Sequence, residues 1–373
     1  MLDLADALNH GIERRGHELM HLHRVVALDE VWRIAIAAKQ GVELVTGNAG
    51  EHRGTRNLVA VQMQDRQDRA VVHRVEELVG VPTGGEWSRF RLAIAATEKA
   101  RGRYIHFLNN DTAVHRGWLD ALRDIFDRFD DAGVVGSKLL FPDGSLQEAG
   151  GIIWQDGSGW NFGRNQAAAA PEFNYVKEVD YCSGASLMIA RDLWNEIGGF
   201  DDRYAPAYYE DTDIAFAARQ AGYKVLYCPT SVVSHFEGAS SGTDTTTGVK
   251  QHQVSNQPKF IEKWSLALPQ QRAPGADVFL ARDRARPNGV VVFIDNQVPK
   301  FDTNAGDLTI YEYMVLFKEL GFTVKYFAHN GYLMPKYSEA LQSIGIEVVA
   351  FHEARNTFEE WVRANGGHVS HFW

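Results

Sequence analysis

Tyr104-Ile105-His106-Phe107-Leu108-Asn109-Asn110-Asp111-Thr112 decides how the rest of the chain is read. A short apolar strand stops abruptly in a run of oxygen-bearing side chains. Gly117-Trp118-Leu119-Asp120-Ala121-Leu122, continuing to Phe129, then takes up helical spacing. A strand that ends in amide and carboxylate groups before a helix puts them at the carboxyl edge of a sheet, where open α/β sheets bind ligands. Asn and Asp also make turns by bonding their own backbone, so a plain turn accounts for this piece equally well when it is taken alone.

Downstream, residues 134–140 read as a strand, Pro142-Asp143-Gly144 as a turn, and Ile152-Ile153-Trp154 as a continuation of the same sheet before the Gly157-Ser158-Gly159 loop. Ala167 to Ala170 reads as a surface excursion. Residues 179–189 approach a buried strand. The small residues 183–186 suit a place where backbone passes close to a ligand or to a neighbouring strand. Gly198-Gly199-Phe200-Asp201 leads to Tyr208-Tyr209-Glu210-Asp211-Thr212-Asp213 and a helix that ends at Gly222. Three carboxylates thus crowd a helix N-terminus, where the dipole favours their charged form and where simple capping also places them. A strand over residues 224–227, Pro229, and Ser231-Val232-Val233-Ser234-His235-Phe236-Glu237-Gly238 follow. A His at a strand end is either a functional imidazole or a structural one. Residues 238–248, rich in Gly, Ser and Thr, read as a loop beside a site.

Upstream the character differs. The chain has 9 Trp, 13 Tyr and 20 Phe, yet residues 1–100 hold only Trp32, Trp87 and Phe90. A packed α/β core normally spreads its aromatics, because each buries a large apolar area. Residues 1–40 carry helical spacing in places, residues 50–90 show no clear period, and residues 90–100 suit the helix before the 104–108 strand. His17-Glu18-Leu19-Met20-His21 matches a pattern in which two His one helical turn apart hold zinc and the Glu activates water. His23, Glu30 and Glu43 are the candidate third ligands, none at a recognised spacing, and chance in a His-dense segment explains the pattern as well.

Composition bounds the alternatives. With 373 residues, 45% hydrophobic and 23% charged, the chain has room for two ordinary domains. The net charge of −10 gives no general attraction to phosphate backbones, which argues against nucleic-acid binding. The 2 cysteines, Cys182 and Cys228, exclude a disulfide framework and a four-cysteine zinc site. No apolar run approaches the roughly 20 residues that span a bilayer, and the N-terminus lacks a signal-peptide pattern, so a cytoplasmic location is expected.

LNNDT, YCSGASLMI, IGGFDD, YYEDTD and SHFEG, in this order and spacing, resemble a family 2 glycosyltransferase of the GT-A fold, rhamnosyltransferase-like, over about residues 100–265. The resemblance implies an α/β fold with a GT-A-like mixed sheet flanked by helices. It also implies an inverting transfer of sugar from a nucleotide-sugar donor to a hydroxyl of a glycan or lipid-linked acceptor, with Mn²⁺ or Mg²⁺. Such an activity belongs to polysaccharide and cell-envelope biosynthesis, at the inner face of the membrane by peripheral association. It makes Asn109, Asn110, Asp111 and Gly184 donor-binding and Asp111, His235 and Asn109 metal ligands. Asp211 becomes the base that takes the acceptor proton, with Glu210 orienting acceptor or base, and Asp213 is structural. The residue types suit the chemistry: a leaving diphosphate gains charge that a cation stabilises, and a hydroxyl nucleophile needs a carboxylate to take its proton. The departure lies upstream. Such a fold opens with an apolar strand and an acidic turn, and residues 1–99 show neither. We read them as an atypical segment, a divergent replacement or the product of a shifted reading frame, that leaves the donor pocket incomplete.

Residues 266–288, with their prolines and the Arg282-Asp283-Arg284-Ala285-Arg286-Pro287 run, read as a linker. Residues 289–373 then alternate strands (290–295, 324–327, 346–351) with helices (311–320, 337–344), and Asn304-Ala305-Gly306-Asp307 reads as a loop. That alternation implies parallel crossovers and an incomplete Rossmann-like unit. Its opening, FIDNQVPKFDTNAGD, resembles the start of a family 4 (GT-B) glycosyltransferase, whose nucleotide-binding half is absent here. Two rival functions stand beside the transferase: a catalytically inactive remnant acting as a glycan-binding or scaffold module, and a zinc hydrolase using His17, Glu18 and His21.

Overall fold

The computed structural model describes residues 43–44, 59–63, 71–74, 94, 96–109, 111–236, 251–285, 288–350 and 358–373. His17, Glu18, His21, His23, Glu30, the side chain of Glu43, Asn110 and the 238–248 loop lie outside the described residues.

Three strands precede the LNND strand: β1 (Glu43–Leu44), β2 (Val59–Met63) and β3 (Val71–Arg74). Next come β4 (Tyr104–Leu108), β5 (Thr112–Val114), helix α1 (Trp118–Arg128), β6 (Ala132–Leu140), β7 (Leu146–Glu148), β8 (Gly151–Ile153) and β9 (Gly159–Asn161). They are followed by β10 (Lys177–Glu178), β11 (Ser186–Ala190), α2 (Arg191–Ile197), α3 (Glu210–Gln220), β12 (Lys224–His235) and α4 (Gln251–Lys263). The last part holds β13 (Val290–Asp295), α5 (Ala305–Glu319), β14 (Thr323–Ala328), α6 (Pro335–Ser343), β15 (Glu347–Ala350), α7 (Phe358–Asn365) and β16 (Val369–Phe372).

The main sheet is mixed, in the order β1-β3-β2-β4-β11-β6-β12-β10, with β5 added to β12 and β7 to β6. β11 runs antiparallel between β4 and β6, and β6 is parallel to β12, so β4, β6 and β12 point the same way. Period-two alternation divides β4 between the faces. Ile105 and Phe107 pack with Leu193, Trp194, Ile214, Phe216, Phe260 and Trp264 of α2, α3 and the α4 region, whereas Tyr104 faces Trp118, Leu122, Ile125 and Phe126 of α1. The second sheet, β15-β14-β13-β16, is entirely parallel. This is the expected architecture of a mixed sheet flanked by helices followed by a parallel α/β unit. No helix among the described residues is long and apolar enough to cross a membrane.

Four local expectations are corrected. Ile152 and Ile153 do not continue the main sheet: Gly150 takes φ +79, and β8 pairs with β9 in a separate two-stranded sheet, with a single bridge from Gly151 to Tyr181. The strand expected to stop at Tyr227 runs on as β12 through Pro229 to His235, because a register shift between Cys228 and Val232 absorbs the proline's missing N–H. Asn304 to Asp307 is not a loop but the start of α5, since the Asn304 side chain caps the helix by accepting from the Asp307 N–H at 2.9 Å. Finally, the stretch without a readable period does supply sheet: β2 pairs antiparallel with β4 along its whole length, so that edge of β4 is covered.

Candidate active site

The carboxyl edge of β4 is built by pairings between distant segments. Asn109 N–H donates to Ala185 O at 3.0 Å, which ties the end of β4 to the turn before β11. β5 then pairs antiparallel with the end of β12, with Thr112 opposite His235, and Phe236 N–H donates to Asp111 O at 2.8 Å. These backbone bonds bring the Asp111 Oδ1 to 3.4 Å from His235 Nε2, with both side chains about seven-eighths buried (14% and 13% exposed). Thr112 Oγ1 donates to Asn109 O at 2.6 Å and closes the turn in which Asn109 and Asp111 lie.

On the other side of the Ala185 link, Gly184 N–H donates to Asp211 Oδ2 at 3.0 Å, and Thr212 N–H donates to Oδ1 at 2.7 Å. Asp211 therefore sits in the first turn of α3 held by two backbone donors. Burial nevertheless raises its pKa above the ordinary carboxylate range. Glu210 beside it is raised further, first by burial and then by the Asp211 charge. Its Oε2 is buried without a hydrogen bond among the described residues. Two such carboxyls side by side hold a proton more readily than free ones, which suits a group that must accept one. Asp213 is structural as expected: Lys263 Nζ and Trp264 Nε1 each donate to it at 2.8 Å, fastening α3 to α4.

The approach to this pair is strained. Tyr208 and Tyr209 are consecutive non-glycine residues in the left-handed region, at φ 71 and 73. Such backbone costs about 1–3 kcal/mol per residue and persists only where the surroundings over-determine it. Here Asn256 Nδ2 donates to Tyr204 O, Ala207 O and Tyr208 O at 2.9–3.0 Å, and Tyr209 Oη donates to Gly157 O at 3.0 Å.

Two residues that sequence reasoning missed join the halves of the site. Gln147 Oε1 lies 2.8 Å from His235 Nδ1, and Glu148 Oε1 accepts from Ser183 N–H at 3.0 Å. Both are buried in the three-residue strand β7 (2% and 1% exposed). Polar residues in so short a strand look like turn in the sequence; the small residues Ala149, Gly150 and Gly151 after them were the available signal that the chain passes closely here.

The donor set tests which cation the residues fit. Asp111 and His235 face each other with an oxygen and a nitrogen, a mixed pair that suits Mn²⁺ and accepts Mg²⁺ less well. No group of three or more His, Cys, Asp or Glu side chains is placed to hold a metal among the described residues. Two protein ligands fit a cation whose remaining coordination comes from substrate phosphates and water, as is usual for phosphate-bound metals.

The glycosyltransferase-like family 2 matches residues 18–253, more than half of the chain and the elements that carry Asp111, Asp211 and His235. The chain belongs to that family. The match begins well upstream of the LNND strand and corrects the expectation that the resemblance starts near residue 100. An N-acetylglucosaminyl-diphospho-decaprenol L-rhamnosyltransferase of Mycobacterium tuberculosis is 25% identical over 261 residues, covering 63% of this chain and 78% of that protein. The O-antigen biosynthesis protein RfbC of Myxococcus xanthus is 30% identical over 155 residues, covering 40% of this chain and 12% of that protein. Among solved structures, GalNAc-T7 with UDP, GalNAc and Mn²⁺ aligns with a TM-score of 0.37 at 18% identity, over 48% of this chain and 37% of that one. The protein is a glycosyltransferase.

Proposed function

We propose that this glycosyltransferase moves a sugar from a nucleotide-sugar donor to a hydroxyl of a lipid-linked or glycan acceptor, with inversion at the transferred carbon. The carrying observation is the linked sheet edge: Asp111 stands 3.4 Å from His235, and Asp211 is bonded to Gly184, next to the residue that holds Asn109. Asp211 takes the acceptor proton during attack, and the raised pKa of the Glu210–Asp211 pair brings its basicity closer to that of the working pH. Glu210 orients the acceptor hydroxyl or Asp211 itself. Asn109 and Gly184 are assigned to the donor side, and Asn110 is assigned there from the resemblance alone. Asp111 and His235, with Asn109 as a neutral oxygen nearby, would hold Mn²⁺ or Mg²⁺. When bound, such a cation offsets the negative charge that develops on the leaving nucleoside diphosphate.

The mycobacterial relative, by its name, uses a lipid-linked amino-sugar diphosphate as acceptor and L-rhamnose as the transferred sugar. That supports a lipid-linked acceptor and a deoxyhexose or hexose donor here, reached from the cytoplasmic face by peripheral association. The unit over residues 289–373 is read as GT-B-like from the resemblance of its opening segment.

The test is release of nucleoside diphosphate from a panel of nucleotide sugars with a lipid-linked acceptor, with Mn²⁺ and with chelator. Asp211→Asn is expected to lower turnover about 10²–10⁴-fold, the range for loss of a general base, with donor binding retained. Asp111→Asn is expected to abolish Mn²⁺-dependent donor binding. Turnover by Asp211→Asn at the wild-type rate overturns the assignment of the base; activity unchanged by chelator overturns the cation.

A further inference from the structure

The contact between Gln147 and His235 bears on how the cation site is prepared, and rests on the reading of Asp111 and His235 as its ligands. β7 pairs with β6 through Leu139 opposite Glu148 and Leu140 opposite Leu146. Two residues of β6 thus face three of β7, and Gln147 is the extra residue of a β-bulge. Bulges re-aim a side chain out of the regular alternation and recur beside active sites. Backbone bonds outside the pair hold this one in place: Leu146 N–H donates to Gln166 O at 3.0 Å and Asn165 N–H to Leu146 O at 2.8 Å. The bulge turns the buried Gln147 amide towards the end of β12, where its Oε1 meets His235 Nδ1 at 2.8 Å.

We propose that Gln147 is a positioning residue that fixes the tautomer and ring orientation of His235. An amide oxygen only accepts, so a hydrogen bond at this distance requires the proton on Nδ1. With the proton on Nδ1, the lone pair of the uncharged tautomer is on Nε2, the atom 3.4 Å from Asp111 Oδ1. In that tautomer Nε2 and the carboxylate oxygen are the two kinds of atom that ligate a divalent cation. Hydrogen bonds of this kind to the second nitrogen of a metal-binding His typically contribute 10–100-fold in metal affinity. The same bulge serves the other half of the site, because the next residue, Glu148, accepts from Ser183 N–H. One irregularity in one short strand therefore orients the cation side and pins the Ser183–Gly184 turn that holds Asp211.

Two measurements test this. Long-range ¹H–¹⁵N NMR of the full chain with ¹⁵N-labelled histidine, assigned by His235→Ala, should show the neutral His235 protonated on Nδ1. Protonation on Nε2 in the wild type overturns the proposal without touching the proposed function. Mn²⁺ is then titrated by EPR in the presence of UDP, GDP and dTDP in turn. Gln147→Leu should weaken Mn²⁺ binding about 10–100-fold, and Gln147→Glu, which keeps an acceptor oxygen, should restore it to within about threefold of wild type. Wild-type affinity in Gln147→Leu, with binding lost in Asp111→Asn and His235→Ala, overturns the role of Gln147 alone. Unchanged binding in Asp111→Asn overturns the cation site and this inference with it.

Discussion

Glu210, Asp211 and Asp213 lie within four positions on one helix start and have three different fates. Asp213 points into the core and is paid back by Lys263 and Trp264. Asp211 meets backbone donors at the sheet edge, and Glu210 keeps one oxygen buried without a hydrogen bond among the described residues. Burial, then the neighbouring charge, raises Glu210, so its folded carboxyl titrates above its unfolded value of about 4.3. The stabilisation of its neutral form is fully present below the unfolded value and is lost as pH rises through the folded one. Glu210→Gln should therefore be more stable than wild type at pH 8, by about 1–3 kcal/mol, with the difference vanishing near pH 4. Denaturant unfolding at the two pH values checks this, and an equal effect at both would refute the sign. The same variant should lose turnover, the usual trade between stability and a buried functional group.

At the scale of elements, the central strands carry a buried polar line among apolar neighbours. His106 Nε2 bonds Ser186 Oγ at 3.2 Å; Ser137 Oγ bonds Ser186 Oγ at 2.7 Å and Ser231 Oγ at 2.8 Å, crossing β4, β11, β6 and β12 in turn. Burial lowers His106 to about 3, so the imidazole is neutral and serves as a hydrogen-bonding group of the sheet. Next to that line, Gly136 of β6 faces Cys182, and a Cβ at Gly136 would fall inside the Cys182 side chain. Cys182 leads directly into the Ser183–Gly184 turn, so crowding here pushes on the residues that hold Asp211. Gly136→Ala should destabilise the protein by about 1–3 kcal/mol through overpacking and should lower turnover in the surviving fold. Denaturation and activity measured together check it; unchanged stability would show that the strand yields freely. Hydrophobic spacing revealed β4, α1, β6, α3, β13 and β14 because each has one buried face with a regular period. It did not reveal β7 or the run of β12 through Pro229, where a bulge or register shift breaks the period.

The whole molecule is joined across a seam of buried charge. Lys325 of β14 is fully buried and donates to Asp283 Oδ2 at 3.0 Å and Glu347 Oε2 at 2.6 Å. Arg282 donates to both Glu347 oxygens at 3.0 and 2.7 Å, and Tyr175 Oη donates to Asp283 at 3.0 Å. Burial alone would raise Glu347, but Arg282 and Lys325 outweigh it and hold the carboxyl at about 2. Arg284 pairs with Asp180 at the same seam, and Val176 N–H donates to Gln342 O at 2.9 Å. The end of the segment read as a linker thus carries the charges that join the parallel sheet to the glycosyltransferase unit. Lys325→Met leaves two carboxylates buried against fewer cations and should cost about 3–5 kcal/mol, with Lys325→Met/Glu347→Gln recovering part of the loss. Chemical denaturation checks both, and a single variant within about 1 kcal/mol of wild type would show that the seam is incidental.

From residue order alone came the mixed α/β class and the alternation in the last third, because periodicity is written along the chain, and the candidacy of Asp111, Asp211 and His235, because the order of their motifs resembles a known family. Only the folded chain decided that Asp111 and His235 face each other, that Gln147 and Glu148 join them to the Asp211 side, and that the charges of 282–284 are buried. Each of those depends on partners tens of residues away, brought together by strand register and packing, and no local pattern encodes a distance between segments that meet only after the sheet has closed.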